Sequence, residues 1–378
     1  MALPAAVEDR TPLCLVLELP TARGAVGGPS VRCSVRHGCP LTIGCGRRNT
    51  GRLANLLDSD NRLFRLARQG RGLPSALVAV AVVFLVTVFA VIPGQIPGRM
   101  VLFAPSGTAR FPGELQPVVW PIVMNVSIFS TMLLGLWLWL RLVSKRPFWT
   151  LGWERAGAWP RVLRGACVSV VMVSIVCVAS VAAGASFMPG LVQRLGFAAV
   201  GLRLLSLLSF FVQGPAEETL FRGWLMSVTG ARHGPWVGVI VSSIVFSAAH
   251  ALNRGVSSLG FVNLFLFGLL AALYALREGG LWGVGAWHGV WNWTMGDLLG
   301  FTLDGSPRVG LWRSIHLNGS DVITGGAFGP DGGLVCTGVL VVAIGLALSA
   351  CSREPRRRHP ASHESHSDRH SPAIVDRS

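Results

Sequence analysis

The chain has 378 residues, of which 51% are hydrophobic and 13% charged, and its mean hydropathy is +0.54. Soluble domains carry about 25% charged residues, so this composition excludes an ordinary soluble enzyme. The net charge of +15 does not point to a nucleic-acid partner, because the basic residues sit in the termini and in short segments between apolar runs, as a topology signal would.

Residues 1–72 mix Pro, Gly, Arg and Ser without a sustained period and end in the basic stretch Arg62 to Arg71. They are expected to form a disordered cytoplasmic tail. They lack the short positive region followed at once by an apolar run that marks a secretory signal. Cys14, Cys33, Cys39 and Cys45 with His37 make a loose cluster, but its spacing lacks the close Cys pairs of zinc ribbons and fingers. Cys167, Cys177, Cys336 and Cys351 fall in or beside apolar runs, where Cys behaves as a small hydrophobe.

Between residues 73 and 351, apolar runs recur near 74–92, 117–143, 163–187, 197–228, 236–252, 258–276, 281–300 and 332–351. Each approaches the ~20 residues that a bilayer requires. The pattern predicts an all-α protein, a polytopic transmembrane helix bundle of about eight spans. Basic residues precede the first run (Arg65, Arg68, Arg71), lie between the second and third (Lys145, Arg146, Arg155, Arg161) and follow the eighth (Arg356, Arg357, Arg358). The positive-inside rule then puts both termini in the cytoplasm. Residues 352–378, polar and rich in His and Ser, are expected to be a second disordered tail. Lys145 is the one lysine of the sequence, and with abundant Ala, Gly and Val this suggests a GC-rich bacterial genome. The expected location is the bacterial cytoplasmic membrane, with the lipid bilayer as a partner.

The fourth run holds Gly214-Pro215-Ala216-Glu217-Glu218-Thr219-Leu220-Phe221-Arg222-Gly223. Ionisable groups at bilayer depth cost at least ~2.5 to 3.5 kcal/mol each and mark paired or functional positions. Glu218 and Arg222 are four apart on one helix face and can form an ion pair. Glu217 is rotated about 100° away and is left without a local counter-charge. The fifth run ends in Phe246-Ser247-Ala248-Ala249-His250, and the seventh carries His288-Gly289-Val290-Trp291-Asn292, a pair spaced four apart. A lone histidine in an apolar helix is more often a helix-to-helix hydrogen bond than a catalyst, but three helices that each offer a polar group beside an unpaired glutamate suggest a site.

Glu-Glu-x-x-x-Arg, then Phe-x-x-x-His, then His-x-x-x-Asn, in this order on successive apolar helices, resembles the CAAX-protease and bacteriocin-processing (CPBP, or Abi) intramembrane peptidases. The resemblance is strongest over about 197–300, including Asn263 to Arg277 and Gly279-Gly280-Leu281-Trp282. It implies an intramembrane endopeptidase that hydrolyses a peptide bond of a membrane-associated protein or peptide. Glu217 and His250 would activate water, His288 and Asn292 would stabilise the oxyanion, and Glu218, Arg222 and Phe246 would support the site. No cofactor is required in that scheme. The same Glu217, His250 and His288 would also make the His2Glu ligand set of a catalytic Zn2+, although no His-Glu-x-x-His helix is present to fix two ligands on one face. The alternative function is a noncatalytic membrane scaffold or immunity protein using the same polar residues.

Two further expectations concern geometry. His250 near the end of its span and His288 early in its own do not match in depth unless the helices tilt, and tilts of about 20° are common. Trp282, Trp287, Trp291 and Trp293 are expected to form an interfacial belt against lipid, and the small residues Gly283 to Ala286 to permit close helix approach.

Overall fold

A computed structural model describes residues 14–16, 34–36, 56–102, 116–189, 197–308, 310 and 315–349. The chain divides into two units, Met1–Asn49 and Thr50–Ser378. In the first, β1 (Cys14–Val16) pairs antiparallel with β2 (Ser34–Arg36) in the register Leu15 to Val35. Cys33, His37, Cys39 and Cys45 lie outside the described residues, as does most of the expected N-terminal tail and all of the expected C-terminal tail.

The second unit is an all-α membrane helix bundle. Its elements are α1 (Arg62–Ala67), α2 (Ala76–Leu102), α3 (Gln116–Trp139), α4 (Ala158–Ala182), β3 (Ser186–Pro189), α5 (Phe197–Glu218), α6 (Ser227–His233), α7 (Pro235–Ala249), α8 (Ser258–Glu278), α9 (Trp282–Trp293), β4 (Ile315–Asn318), α10 (Asp321–Thr324) and α11 (Leu334–Ser349). β3 and β4 pair antiparallel. Ala76–Pro97, Val119–Ser144, Ala158–Ala182 and Ser258–Glu278 are long and apolar enough to cross a membrane, and Pro235–Ala249 and Leu334–Ser349 are shorter apolar helices. Helices do stand at the other two expected spans, 197–228 and 281–300. The first carries the charged Arg203, Glu217, Glu218 and Arg222, and α9 has only 12 residues before a π-helical turn, Thr294–Leu298. Helices thus stand at all eight expected positions, and among the described residues four of them are long and apolar enough to cross a membrane by length and composition.

Helix ends follow local chemistry. Gly234 at φ 104° breaks the chain and Pro235 opens α7, where its missing N–H costs nothing. The Ser257 hydroxyl accepts from the Gly260 N–H at the start of α8, and Gly279 at φ 64° closes it, the left-handed position at which glycine is favoured.

Glycine also sets helix separation. A Cβ on Gly214 of α5 would stand 2.4 Å from the Gly289 nitrogen of α9, and one on Gly289 would stand 2.5 Å from the Phe210 oxygen. The two backbones touch because neither residue has a side chain. Gly283, within the expected small-residue stretch, faces Gly165 of α4 in the same manner.

Two expectations are corrected. The tail does not extend to residue 72: Leu56, Leu63, Phe64 and Ala67 are buried, the Asn61 amide donates to the Leu276 carbonyl at 2.9 Å, and Arg62 donates to the Gly279 carbonyl at 2.8 Å. α1 is too short to show an apolar period in sequence, and its arginines conceal that its other face is apolar. Nor do the tryptophans form a belt. Trp287 and Trp291 are fully buried against Phe267, at 4.4 and 5.8 Å between ring centroids, while Trp282 and Trp293 are partly exposed. The lipid-facing surface instead carries residues such as Leu77, Phe84, Leu85 and Ile92.

Candidate active site

The α5 helix runs directly into a π-helical turn, Thr219–Met226, of the kind that often accompanies functional positions. Glu217 and Glu218 stand at that junction. The Glu218 carboxylate is fully buried and accepts from Arg222 at 3.0 Å and from His288 Nδ1 at 2.8 Å through the same oxygen. Arg222 donates onward to the Gly268 carbonyl of α8 at 3.0 Å and lies over the Phe246 ring, 4.4 Å from its centroid. This pair binds α5, α7, α8 and α9 together.

Glu217 has no arginine partner among the described residues. Its Oε1 accepts a long 3.4 Å bond from Gln213, and its buried Oε2, like that of Glu218, has no hydrogen-bond partner there. That orphan oxygen lies 4.0 Å from His250 Nε2 and 3.9 Å from His288 Nε2. The depth mismatch expected between the two histidines is therefore absent: His250, the C-cap of α7, and His288 both reach Glu217.

Hydrogen bonds fix both imidazoles. His250 Nδ1 sits 2.8 Å from the Phe246 carbonyl, which can only accept, so Nδ1 donates and Nε2 faces Glu217. His288 is oriented likewise by Glu218 through Nδ1. Phe246 also packs on His250, with ring centroids 4.7 Å apart.

A cavity of about 30 Å³ adjoins these groups, lined among others by His250, His288 and Asn292. Asn292 is 5% exposed, and no hydrogen bond to its amide is found among the described residues. A space of this size holds a water or two. Asp304 and Asp331 line the same cavity, and sequence reasoning did not single them out. Asp304 and Gly305, at φ 49° and 73°, form the two central positions of a tight turn closed by Leu303 and Ser306, the Asp-Gly signature of a type I′ turn. Asp331 accepts from Trp291 Nε1 at 2.9 Å, and its own carbonyl accepts from the Asn263 amide at 2.8 Å. Burial, reinforced by the Asp304 carboxylate, pushes the Asp331 carboxyl up to about 7. The buried pair Arg203–Asp297, at 3.2 Å, was also missed, and it ties α5 to the π-helical turn after α9.

The ligand set for zinc fits poorly. Zinc bonds of about 2.0–2.2 Å at tetrahedral angles place ligand atoms about 3.3–3.5 Å apart, whereas Glu217 Oε2 stands 4.0 and 3.9 Å from the two imidazole nitrogens. Those separations suit one water hydrogen-bonded at about 2.8 Å to each group.

Residues 199–294 match the family model described as type II CAAX prenyl endopeptidase Rce1-like. This segment is similar to the CAAX-protease family. An uncharacterized 24.3 kDa protein of Escherichia coli is 38% identical over 81 residues, which make up 21% of this chain and 36% of that protein. The chain thus spans little more than a third of the relative's length. The matched segment holds Glu217, Glu218, Arg222, Phe246, His250, His288 and Asn292, while Asp304 and Asp331 lie beyond it.

Proposed function

We propose that the chain is an intramembrane endopeptidase that hydrolyses a peptide bond of a membrane-associated protein or peptide, with Glu217 as general base. The observation that carries this reading is the orphan Glu217 Oε2, buried and set about equally far from two imidazole nitrogens. A buried carboxylate without a partner destabilises the fold and is retained where chemistry uses it. One water held between Glu217, His250 and His288 would be placed for attack, its proton passing to Glu217. As the tetrahedral intermediate forms, the Asn292 amide donates to the oxyanion, and His288 donates from Nε2 as an imidazolium balanced by Glu218. Glu218 and Arg222 neither give nor take the transferred proton; they orient His288 and keep a charge balance around it. By the positive-inside rule the chain is multi-pass in a bacterial cytoplasmic membrane with both termini in the cytoplasm.

The proposal requires no metal, and the wide ligand spacing supports that. Cleavage of a quenched peptide library by the detergent-purified full chain tests it, wild type against Glu217→Gln, each with and without a strong zinc chelator. Activity that needs Glu217 and survives chelation is expected. Activity lost to the chelator and restored by zinc would replace the glutamate scheme with a metal one, and a folded protein that cleaves nothing would favour a noncatalytic scaffold or immunity role.

A further inference from the structure

Two carboxylates on the cavity take no part in the chemistry above. Asp304 has neither a cationic nor a hydrogen-bonding partner among the described residues. Asp331 uses one oxygen to accept from Trp291, and its other oxygen has no partner there. Like charges sharing a poorly solvated space oppose each other's ionisation, so a cation placed between them would be favoured on electrostatic grounds alone.

A second observation points to a ligand in the same place. The Asn292 side chain is 5% exposed, lines the cavity and has no hydrogen-bond partner among the described residues. Its nitrogen is the oxyanion donor of the scheme above, which leaves its carbonyl oxygen to accept from a donor that comes from outside the chain.

Shape narrows the chemistry. The remaining walls include Leu264, Phe267 and Leu340. A primary ammonium is a compact point charge with three donors. One such group can donate to both carboxylates at once. Apolar walls beside an acidic end suit a methylene stem whose charged head reaches polar groups.

We propose that the cavity is a subsite for a primary ammonium group of the substrate, held by Asp304 and Asp331 and carried either by a lysine side chain beside the scissile bond or by a free amino terminus. This deepens the peptidase reading and rests on it for its place in catalysis. Binding of the ammonium can be read without turnover.

The test uses the full chain in detergent carrying Glu217→Gln and three fluorescent peptides of otherwise identical apolar sequence. One has a central lysine and an acetylated amino terminus, one has norleucine and an acetylated terminus, and one has norleucine and a free terminus. Fluorescence anisotropy should show one amine-bearing peptide binding at least about tenfold more tightly than the blocked norleucine peptide, and which one it is identifies the source of the ammonium. Asp331→Asn and Asp304→Asn should each reduce that ratio. Because Asp331 also anchors Trp291, Asp304→Asn is the safer variant: asparagine tolerates the left-handed backbone there. Equal binding of all three peptides, no binding of any, or a ratio unchanged by Asp304→Asn overturns the proposal. If the wild-type chain cleaves nothing while the ratio holds, the peptidase reading fails and the ammonium subsite stands.

Discussion

The two ends of the bundle use their polar groups differently. At the end that gathers the basic residues, several side chains join one element to another, although Arg146 Nε and Nη2 and Arg161 Nη1 have no hydrogen-bond partner among the described residues. Asn61 and Arg62 satisfy the last carbonyls of α8, Arg62 also pairs with Glu154, Arg146 donates to the Leu66 carbonyl at 3.3 Å, and Phe64 packs on Gly230. Around the candidate site, Glu217 Oε2, Glu218 Oε2 and Gln213 Oε1 are buried without hydrogen-bond partners among the described residues, and Asn292 and Asp304 line a small cavity. The bridging contacts at the first end read as architecture, whereas unpaired carboxylate oxygens gathered beside two imidazoles read as a place kept ready for water and substrate. A native fold tolerates such violations chiefly where function requires them.

That contrast can be broken at several points. Glu217→Gln should lower kcat/KM by about 10²- to 10⁴-fold, the usual worth of a general base, while its thermal melting in detergent stays near that of the wild type. A large loss of stability would instead make Glu217 part of the architecture. At the basic end the reverse is expected: Phe64→Ala should cost about 3–5 kcal/mol, as for other buried aromatics. It should be read as a lowered melting temperature, with activity per folded molecule retained. An unchanged melt would mean that α1 does not anchor the bundle.

Between these extremes lies Gly289→Ala. Its new methyl would meet the Phe210 carbonyl, push α9 from α5 and separate His288 from Glu217. A displacement of that kind costs about 10²-fold in rate, and steady-state kinetics on the solubilised protein would measure it. A loss in KM alone would show that the helices yield elsewhere.

The smallest effect concerns pH. The folded protein holds a proton on Asp331 below about 7, well above the ordinary carboxylate range, so raising the pH through that value creates the charge that an ammonium would pair with. The preference for an amine-bearing peptide should therefore grow, by a few-fold up to about tenfold between pH 6 and pH 8. His250, His288 and Asp304 line the same cavity and Cys336 borders it, so Asp331→Asn is the control, and its profile should be flatter. A preference that falls with rising pH would remove Asp331 from the subsite.

The sequence determined a good deal by itself. Composition fixed the bilayer as solvent, and apolar runs located the helices to within about five residues at each end, except that α2 continues past its run to Leu102. The spacing of Glu218 and Arg222 predicted their ion pair and left Glu217 alone, because helical periodicity is a local property that four residues suffice to express. The motifs also placed His250, His288 and Asn292 on successive helices. Tertiary structure decided the rest. That one Glu218 oxygen serves both Arg222 and His288, that His250 returns to meet Glu217, and that Trp287 and Trp291 lie inside the bundle all depend on how far apart α5, α7, α8 and α9 stand. Glycine contacts such as Gly214 with Gly289 set that separation across 75 residues of sequence. Asp304 and Asp331 come to the cavity by the same route, on turns whose sequence signatures specify bends without specifying where they end up. A linear pattern records which face of an element is polar, but it does not record which other element that face meets, and the candidate site consists of such meetings.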